Sequence, residues 1–249
     1  MPEPMIPPWK DEATLRANLA RVQERIAAAA VRAGRSPEQI TLVAVSKTQP
    51  AEAVIAGLQL GICHFGENRV EEATPKMMAV DALLGDRDRR PCWHMIGHVQ
   101  SRKAEEVAAG GYLLVHSVDS VKLARRLSRY SLSLGRVQDI LIEVNVSGEP
   151  NKYGFAPDEL EAAVAEIAAQ TGVRVRGLMT MAPIVEDPEE ARPVFAGLRQ
   201  LRDMLAIQFP DLDWGHLSMG MTDDFEVAIE EGATLVRIGR ALFGPRPTE

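Results

Sequence analysis

The run ITLVAVSKTQPAEAVIAGLQLGICHFGEN, residues 40–68, holds one full unit of the pattern that decides the fold. A β-branched stretch, ITLVAVSK (40–47), gives way near Ala51 to a longer amphipathic stretch, and a second short strand, ICHFGEN (62–68), follows. Working outward, the same alternation recurs through CWHMIG (92–97), YLLVHSVD (112–119), DILIEVNV (139–146), VRVRGLMTM (173–181), LDWGHLSMG (212–220) and TLVRIG (234–239). Helices are expected to begin near Ala51, Val70, Ser101, Ser120, Asp158, Pro188 and Asp224, with a short last one near Ala241. Strands that alternate with helices pair in parallel, and nearly continuous apolar strands are buried on both faces. An open doubly wound sheet uses the same alternation, but eight units suit a closed barrel better. The expectation is a (β/α)8 TIM barrel with an extra N-terminal helix over about Asp11–Ala33, where Leu15, Leu19, Val22 and Ile26 recur at helical spacing.

Length and composition agree. The chain has 249 residues, against about 250 for such a barrel, so residues 11–249 are expected to form one domain. Residues 1–10 (MPEPMIPPWK), with four prolines, read as a loose N-terminal arm. Twenty-eight Lys and Arg against 35 Asp and Glu give a net charge of −7, which argues against nucleic acid or an anionic membrane as partner. Two cysteines, Cys63 and Cys92, stand in no CxxC spacing, so neither a disulfide framework nor a zinc site is expected. No signal-peptide pattern and no run of 18 apolar residues occurs, and a cytoplasmic monomer is the expectation.

In a barrel, chemistry belongs at the C-terminal strand ends. Alternation puts Val43, Val45 and Lys47 on one face; if that face is the lumen, Lys47 sits at an apolar rim. Desolvation there favours the neutral amine that attacks an aldehyde, so Lys47 reads as a Schiff-base lysine, the alternative being a strand-end lysine in solvent. Ser218 and Gly220 lie in HLSMGMTDD, where amides from about Gly220 to Thr222 at a helix start could cradle an anion, although Asp223 and Asp224 oppose a phosphate directly on the helix axis. Arg237 interrupts an apolar strand on the face of Leu235 and Gly239, and needs a partner. That partner is either a carboxylate such as Glu143 or a ring nitrogen of a ligand. Asn68, after a glycine at a strand end, is either a cap or a donor to a ring hydroxyl. His94, His116 and His216 sit singly in strands without metal-ligand spacing and read as satisfied histidines, so no metal is expected. A lysine for an aldehyde, loops for a phosphate, and Arg237 and Asn68 for the ring between them together specify pyridoxal 5′-phosphate (PLP).

The motifs AVSKTQP, HFGENRVEE, WHMIGHVQSRK, HSVD, EVNVSGEPNKYGF, RGLMTM, LSMGMTDDFEVAI and VRIGRALFG resemble those of the pyridoxal phosphate homeostasis protein family, over roughly residues 12–245. That family's barrel is similar to the N-terminal domain of alanine racemase. The resemblance implies that Lys47 carries PLP as a Schiff base, that Asn68 contacts the ring face or hydroxyl side, and that Arg237 faces the pyridine nitrogen. It implies that Ser218 and the amides around Gly220, Gly239 and Arg240 hold the phosphate. Arg240 stands where some members have Thr, so a hydroxyl contact is absent there while the backbone N–H remains. Tyr153 replaces a smaller residue beside Lys152, which puts a secondary cofactor role for Lys152 in doubt.

The family resemblance implies a PLP-binding regulator of cofactor supply without an established reaction, so the chain is not expected to be an enzyme. An arginine at the pyridine nitrogen disfavours ring protonation and weakens the electron sink. An alanine racemase also draws a second base from a C-terminal β domain, for which the ten residues after Gly239 leave no room. The alternatives are a PLP-dependent amino-acid racemase or lyase, and a Schiff-base aldolase acting on a sugar phosphate. PLP-requiring apo-enzymes are the candidate partners.

Overall fold

The computed structural model describes residues 8–87 and 89–244. Eight strands, β1 (Thr41–Val45), β2 (His64–Glu67), β3 (Cys92–Met95), β4 (Leu114–Val118), β5 (Gln138–Glu143), β6 (Val173–Met179), β7 (His216–Ser218) and β8 (Leu235–Ile238), pair in parallel in chain order. β1 also pairs with β8, so the sheet closes into the expected barrel. Helix α1 (Glu12–Arg32) precedes it. Helices α2 (Ala51–Gln59), α3 (Val70–Leu84), α4 (Ala104–Ala109), α5 (Val121–Ser133), α6 (Leu160–Ala168), α7 (Arg192–Gln208), α8 (Phe225–Glu230) and α9 (Arg240–Phe243) follow successive strands.

Each strand overlaps its expected run, and β7 departs most, with three residues of the nine. The Trp214 indole N–H turns to Phe209 O at 3.0 Å and the Gly215 N–H to Asp213 Oδ1 at 2.8 Å, which bends the chain before β7. The expected helix starts at Ser101 and Pro188 are 3-10 turns that lead into α4 and α7. Residues 1–7 of the expected arm lie outside the described residues; Pro8–Lys10 form a 3-10 turn whose Trp9 packs on the core.

Period-two alternation sorts the strand residues into two layers. Val43, Leu114, Leu141, Met179 and Leu235 form the apolar cluster of the lumen. Ala44, Phe65, Leu178, Val236 and Ile238 point outward into the larger core beneath the helices. The face of Val43 therefore points inward, as the Lys47 argument requires.

Helix α1 buries Leu15, Leu19, Val22 and Ile26 and lies along α8 and α9. Asp11 caps its start, accepting from the Ala13 N–H at 3.2 Å. Polar groups within and beside this stripe latch the helix to the last quarter of the barrel. Asn18 Nδ2 donates to Leu242 O at 2.9 Å, Arg25 pairs with Glu226 at 3.1 Å and Arg32 with Glu230 at 2.7 Å. Among the described residues no helix is long and apolar enough to cross a membrane. Nor do any His, Cys, Asp and Glu among them cluster to hold a metal ion.

Candidate functional site

Lys47, Asn68, Ser218, Gly220, Arg237, Gly239 and Arg240 all stand near or just beyond the C-terminal ends of β1, β2, β7 and β8, hence around one mouth of the barrel. Lys47 is half-buried and precedes Thr48, whose φ of 64° places a β-branched residue in the left-handed region. That conformation costs on the order of 1–2 kcal/mol and persists only where its surroundings hold it.

The holding group is a buried ion cluster behind the strand. Lys76 of α3 donates to Ser46 O at 2.7 Å, to Glu67 Oε1 at 2.7 Å and to Glu72 Oε1 at 3.0 Å. Glu72 in turn accepts from the Thr48 N–H, and the Ser46 hydroxyl donates to Glu67 Oε1 at 2.7 Å. The residues on either side of Lys47 are thus anchored to one ammonium and two carboxylates. The Glu67 side chain is fully buried, and burial pushes its carboxyl up against the lowering pull of Lys76. The sequence reading missed this cluster. The available signal was a lysine on the stripe of Val70, Ala73, Val80 and Leu84, which is the buried face of α3.

Asn68 is placed by a close approach of β3. A Cβ on Gly97 would lie 2.4 Å from Asn68 O, so only glycine lets the end of β3 ride against the Asn68 backbone. The Asn68 Oδ1 is buried and has no hydrogen-bond partner among the described residues.

Arg237 projects into the lumen beside Val43 and is 5% exposed. Of the two partners considered from sequence, no carboxylate among the described residues hydrogen-bonds to it. The guanidinium donates to Ser218 Oγ at 2.6 Å and to Thr180 O at 3.1 Å. Burial lowers its pKa to about 10, against the pull of Glu143 and Asp224, so it stays charged at neutral pH. Ser218 is fully buried, and its hydroxyl also meets His116 Nδ1 at 2.8 Å. Two of the three histidines read as standing singly are joined to each other and to a further one, His64: His116 Nε2 lies 2.8 Å from His94 Nδ1, and His94 Nε2 lies 2.9 Å from His64 Nδ1. The third, His216, was read as satisfied, but its Nδ1 is buried without a hydrogen-bond partner among the described residues.

Glu143 ends β5 on the lumen face, 6% exposed, with Oε2 unpartnered among the described residues. Desolvation first, then the Asp119 charge, push its pKa from 4.5 to about 7, with Arg237 opposing. Since the folded value is the higher one, protons stabilise the fold. Stability contributed by the protonated form is complete below about 4.5 and is lost as pH rises to about 7. Glu143→Gln is therefore expected to gain on the wild type by roughly 2–3 kcal/mol between pH 4.5 and pH 8. Urea unfolding at both pH values checks this, and an unchanged difference between the two proteins would refute it.

At the loops after β7 and β8, Gly220 has φ 91°, and a Cβ there would meet Ala228 Cβ at 2.6 Å. One expectation needs correction. The Met221 amide is not left open, because Asp224 Oδ1, at the start of the short helix, accepts from it at 2.6 Å. The Arg240 side chain is exposed and ion-paired with Asp223, bridging the two loops and offsetting one of the carboxylates that oppose an anion there. Lys152 pairs with Glu149 and donates to Met181 O at 3.3 Å.

A parallel eight-stranded barrel with a lysine after the first strand and an arginine in the last belongs to a known class. The sequence profile of the alanine racemase N-terminal domain matches residues 11–247. Within that class the chain belongs to the pyridoxal phosphate homeostasis protein family. A protein of that name from Aquifex aeolicus is 44% identical over 228 residues, 92% of this chain and 96% of its own. Another from Pseudomonas aeruginosa is 43% identical over 235 residues, covering 94% and 96%. The solved structure of PipY from Synechococcus elongatus with PLP bound superposes with a TM-score of 0.76 at 37% identity, covering 90% of this chain and all of that one.

Proposed function

We propose that this protein binds PLP and serves intracellular PLP homeostasis, holding the cofactor as a Schiff base on Lys47 without turning it over. The observation that carries this reading is a pair of basic side chains at one barrel mouth. One is a lysine on a clamped, left-handed corner; the other is a buried guanidinium whose hydrogen bonds go to a hydroxyl and a carbonyl rather than to a carboxylate.

The residues suit the group in three further respects. Asn68 Oδ1 and Glu143 Oε2 are buried acceptors awaiting a donor. Gly239 keeps the wall beside Val45 open, since a Cβ there would crowd Val45 Cβ at 3.3 Å. Arg240 and the backbone at Gly220 and Gly239 offer donors to a phosphate, with Ser218 beneath them. PLP supplies an aldehyde that an amine can capture and a ring that can store electrons. Lys47, partly desolvated at the rim, provides the amine. Asn68 addresses the ring hydroxyl. Arg237, charged and donating, faces the ring nitrogen and keeps it unprotonated, which withholds the electron sink needed by a racemase or lyase. Apo-enzymes that require PLP are the recipients in this reading.

The test is an absorbance spectrum together with intact mass after borohydride, whose hydride reduces the C=N bond to a stable amine. One phosphopyridoxyl group per chain, mapped to Lys47 and trapped without added substrate, is expected. Trapping that needs a sugar phosphate would make the protein an aldolase. Exchange of amino-acid α-hydrogens in deuterated water above the rate of free PLP would make it an enzyme.

A further inference from the structure

The lumen of such a barrel is ordinarily filled by layers of branched apolar side chains. Here a line of polar groups crosses it: Arg237, Ser218, His116, His94 and His64, each within 2.6–2.9 Å of the next. It starts near the C-terminal mouth and ends at the first residue of β2, on the N-terminal side, where His64 is half-buried.

Counting donors fixes its direction. A guanidinium only donates, so Ser218 Oγ accepts from Arg237. The serine hydroxyl is fully buried, and its remaining neighbour is His116 Nδ1, so its proton is satisfied by donation to that nitrogen. A neutral imidazole has one donor and one acceptor. His116 therefore carries its proton on Nε2 and donates to His94 Nδ1; His94 likewise donates from Nε2 to His64 Nδ1, leaving His64 with its Nε2–H toward the barrel's other end. Burial holds His94 down at about 3 and His116 well below the usual imidazole range, so both rings are neutral at neutral pH. Any ring turned the other way would set two acceptors, or two donors, face to face.

We infer that His116, His94 and His64 are positioning residues for Arg237, forming with Ser218 a one-directional hydrogen-bond file whose dipoles all present their negative ends to the guanidinium. The file takes the place of a counter-carboxylate. It solvates a buried cation without neutralising it and leaves N–H groups of Arg237 available at the mouth. In combination with the proposed function, which sets Arg237 against the pyridine nitrogen, the three histidines govern ring-nitrogen recognition from inside the barrel.

Two measurements test this. In the ligand-free protein labelled with 15N-histidine, the chain's five histidines are few enough to assign with single His→Gln variants. His64, His94 and His116 are all expected as neutral Nε2–H tautomers, and Arg237→Met is expected to release that uniformity, beginning at His116. A wild-type Nδ1–H or cationic form at any of the three overturns the file, whatever the protein binds. The second measurement compares PLP with its analogue carrying carbon in place of the ring nitrogen. His94→Phe, which cuts the file, is expected to weaken PLP about tenfold, the size of one charged hydrogen bond, and to leave the analogue unchanged. His94→Gln, able to accept and donate, is expected to restore most of that loss, and it serves alone if the Phe variant does not fold, with near-wild-type discrimination between the two ligands as the supporting result. Equal losses for both ligands would mean that the histidines act only on the fold.

Discussion

Lys47→Ala is expected to leave a folded barrel that takes up no covalent PLP at all. The side chain stands half-buried at the rim, two residues past the end of β1, and contributes nothing to the packed lumen cluster. Removing it deletes the only step that forms a bond, while Arg237 and the loops after β7 and β8 keep their places. The cofactor absorbance band should vanish and the borohydride mass increment fall from one group per chain to none. Thermal unfolding should shift far less than in a variant that opens the packed lumen, because the side chain lies outside that cluster. A variant that still traps a full equivalent would remove Lys47 from the role, and peptide mapping would then turn first to Lys152. That lysine pairs with Glu149 and donates to Met181 O.

The largest loss of stability is expected at Lys76, a residue with no place in ligand contact. Lys76→Met leaves Glu67 buried without its ammonium, and breaking a buried pair from one side costs about 3–5 kcal/mol. Replacing both partners, as Lys76→Met with Glu67→Met, should recover much of it, since apolar side chains of similar volume often substitute for a buried pair without loss. The single variant should also capture PLP more slowly under conditions where it is still folded, because Ser46 and Thr48 lose their anchors on either side of Lys47. Urea midpoints for the single and double variants, with trapping rates measured below the transition, separate the two effects. A single variant within about 1 kcal/mol of wild type would show that the cluster behaves as an exposed one.

The barrel was legible because its signal repeats eight times. Each strand run is short, β-branched and followed by an amphipathic stretch, and errors at single boundaries do not alter the count. The face assignments in β1, β5 and β8 also held, since alternation requires only one correct anchor such as Val43, Leu141 or Leu235. The relations across the barrel were not legible. His64, His94 and His116 are separated by whole βα units, and their contact depends on strand register, with Gly66 opposite His94 and His94 opposite Leu114. Period-two reasoning within one strand carries no information about register between strands. The clamp behind Lys47 was hidden for a related reason. Glu67 was read with Asn68 as part of a strand end, yet alternation sends it outward to α3, where its partner is nine residues further on. At Arg237 the sequence narrowed the partner to a carboxylate or a ligand, and a hydroxyl and a carbonyl were the protein's answer.

The latch between α1 and the last quarter of the barrel governs the order in which the molecule can be completed during synthesis. Asn18 and Leu242 are 224 residues apart, and Arg32 and Glu230 are 198 apart, so the first helix to leave the ribosome has to wait for nearly the whole chain before its partners exist. Contacts of such long separation are slow to form, since loop closure precedes any gain from them. Until then α1 exposes Leu15, Leu19, Val22 and Ile26, an apolar stripe that a chaperone would recognise. The same late event docks α8 and α9, which follow the two loops proposed to hold the phosphate. A nascent barrel therefore acquires its grip on a cofactor only in the last step of folding, and PLP, by favouring that docked state, should act as a ligand for maturation as well as a cargo.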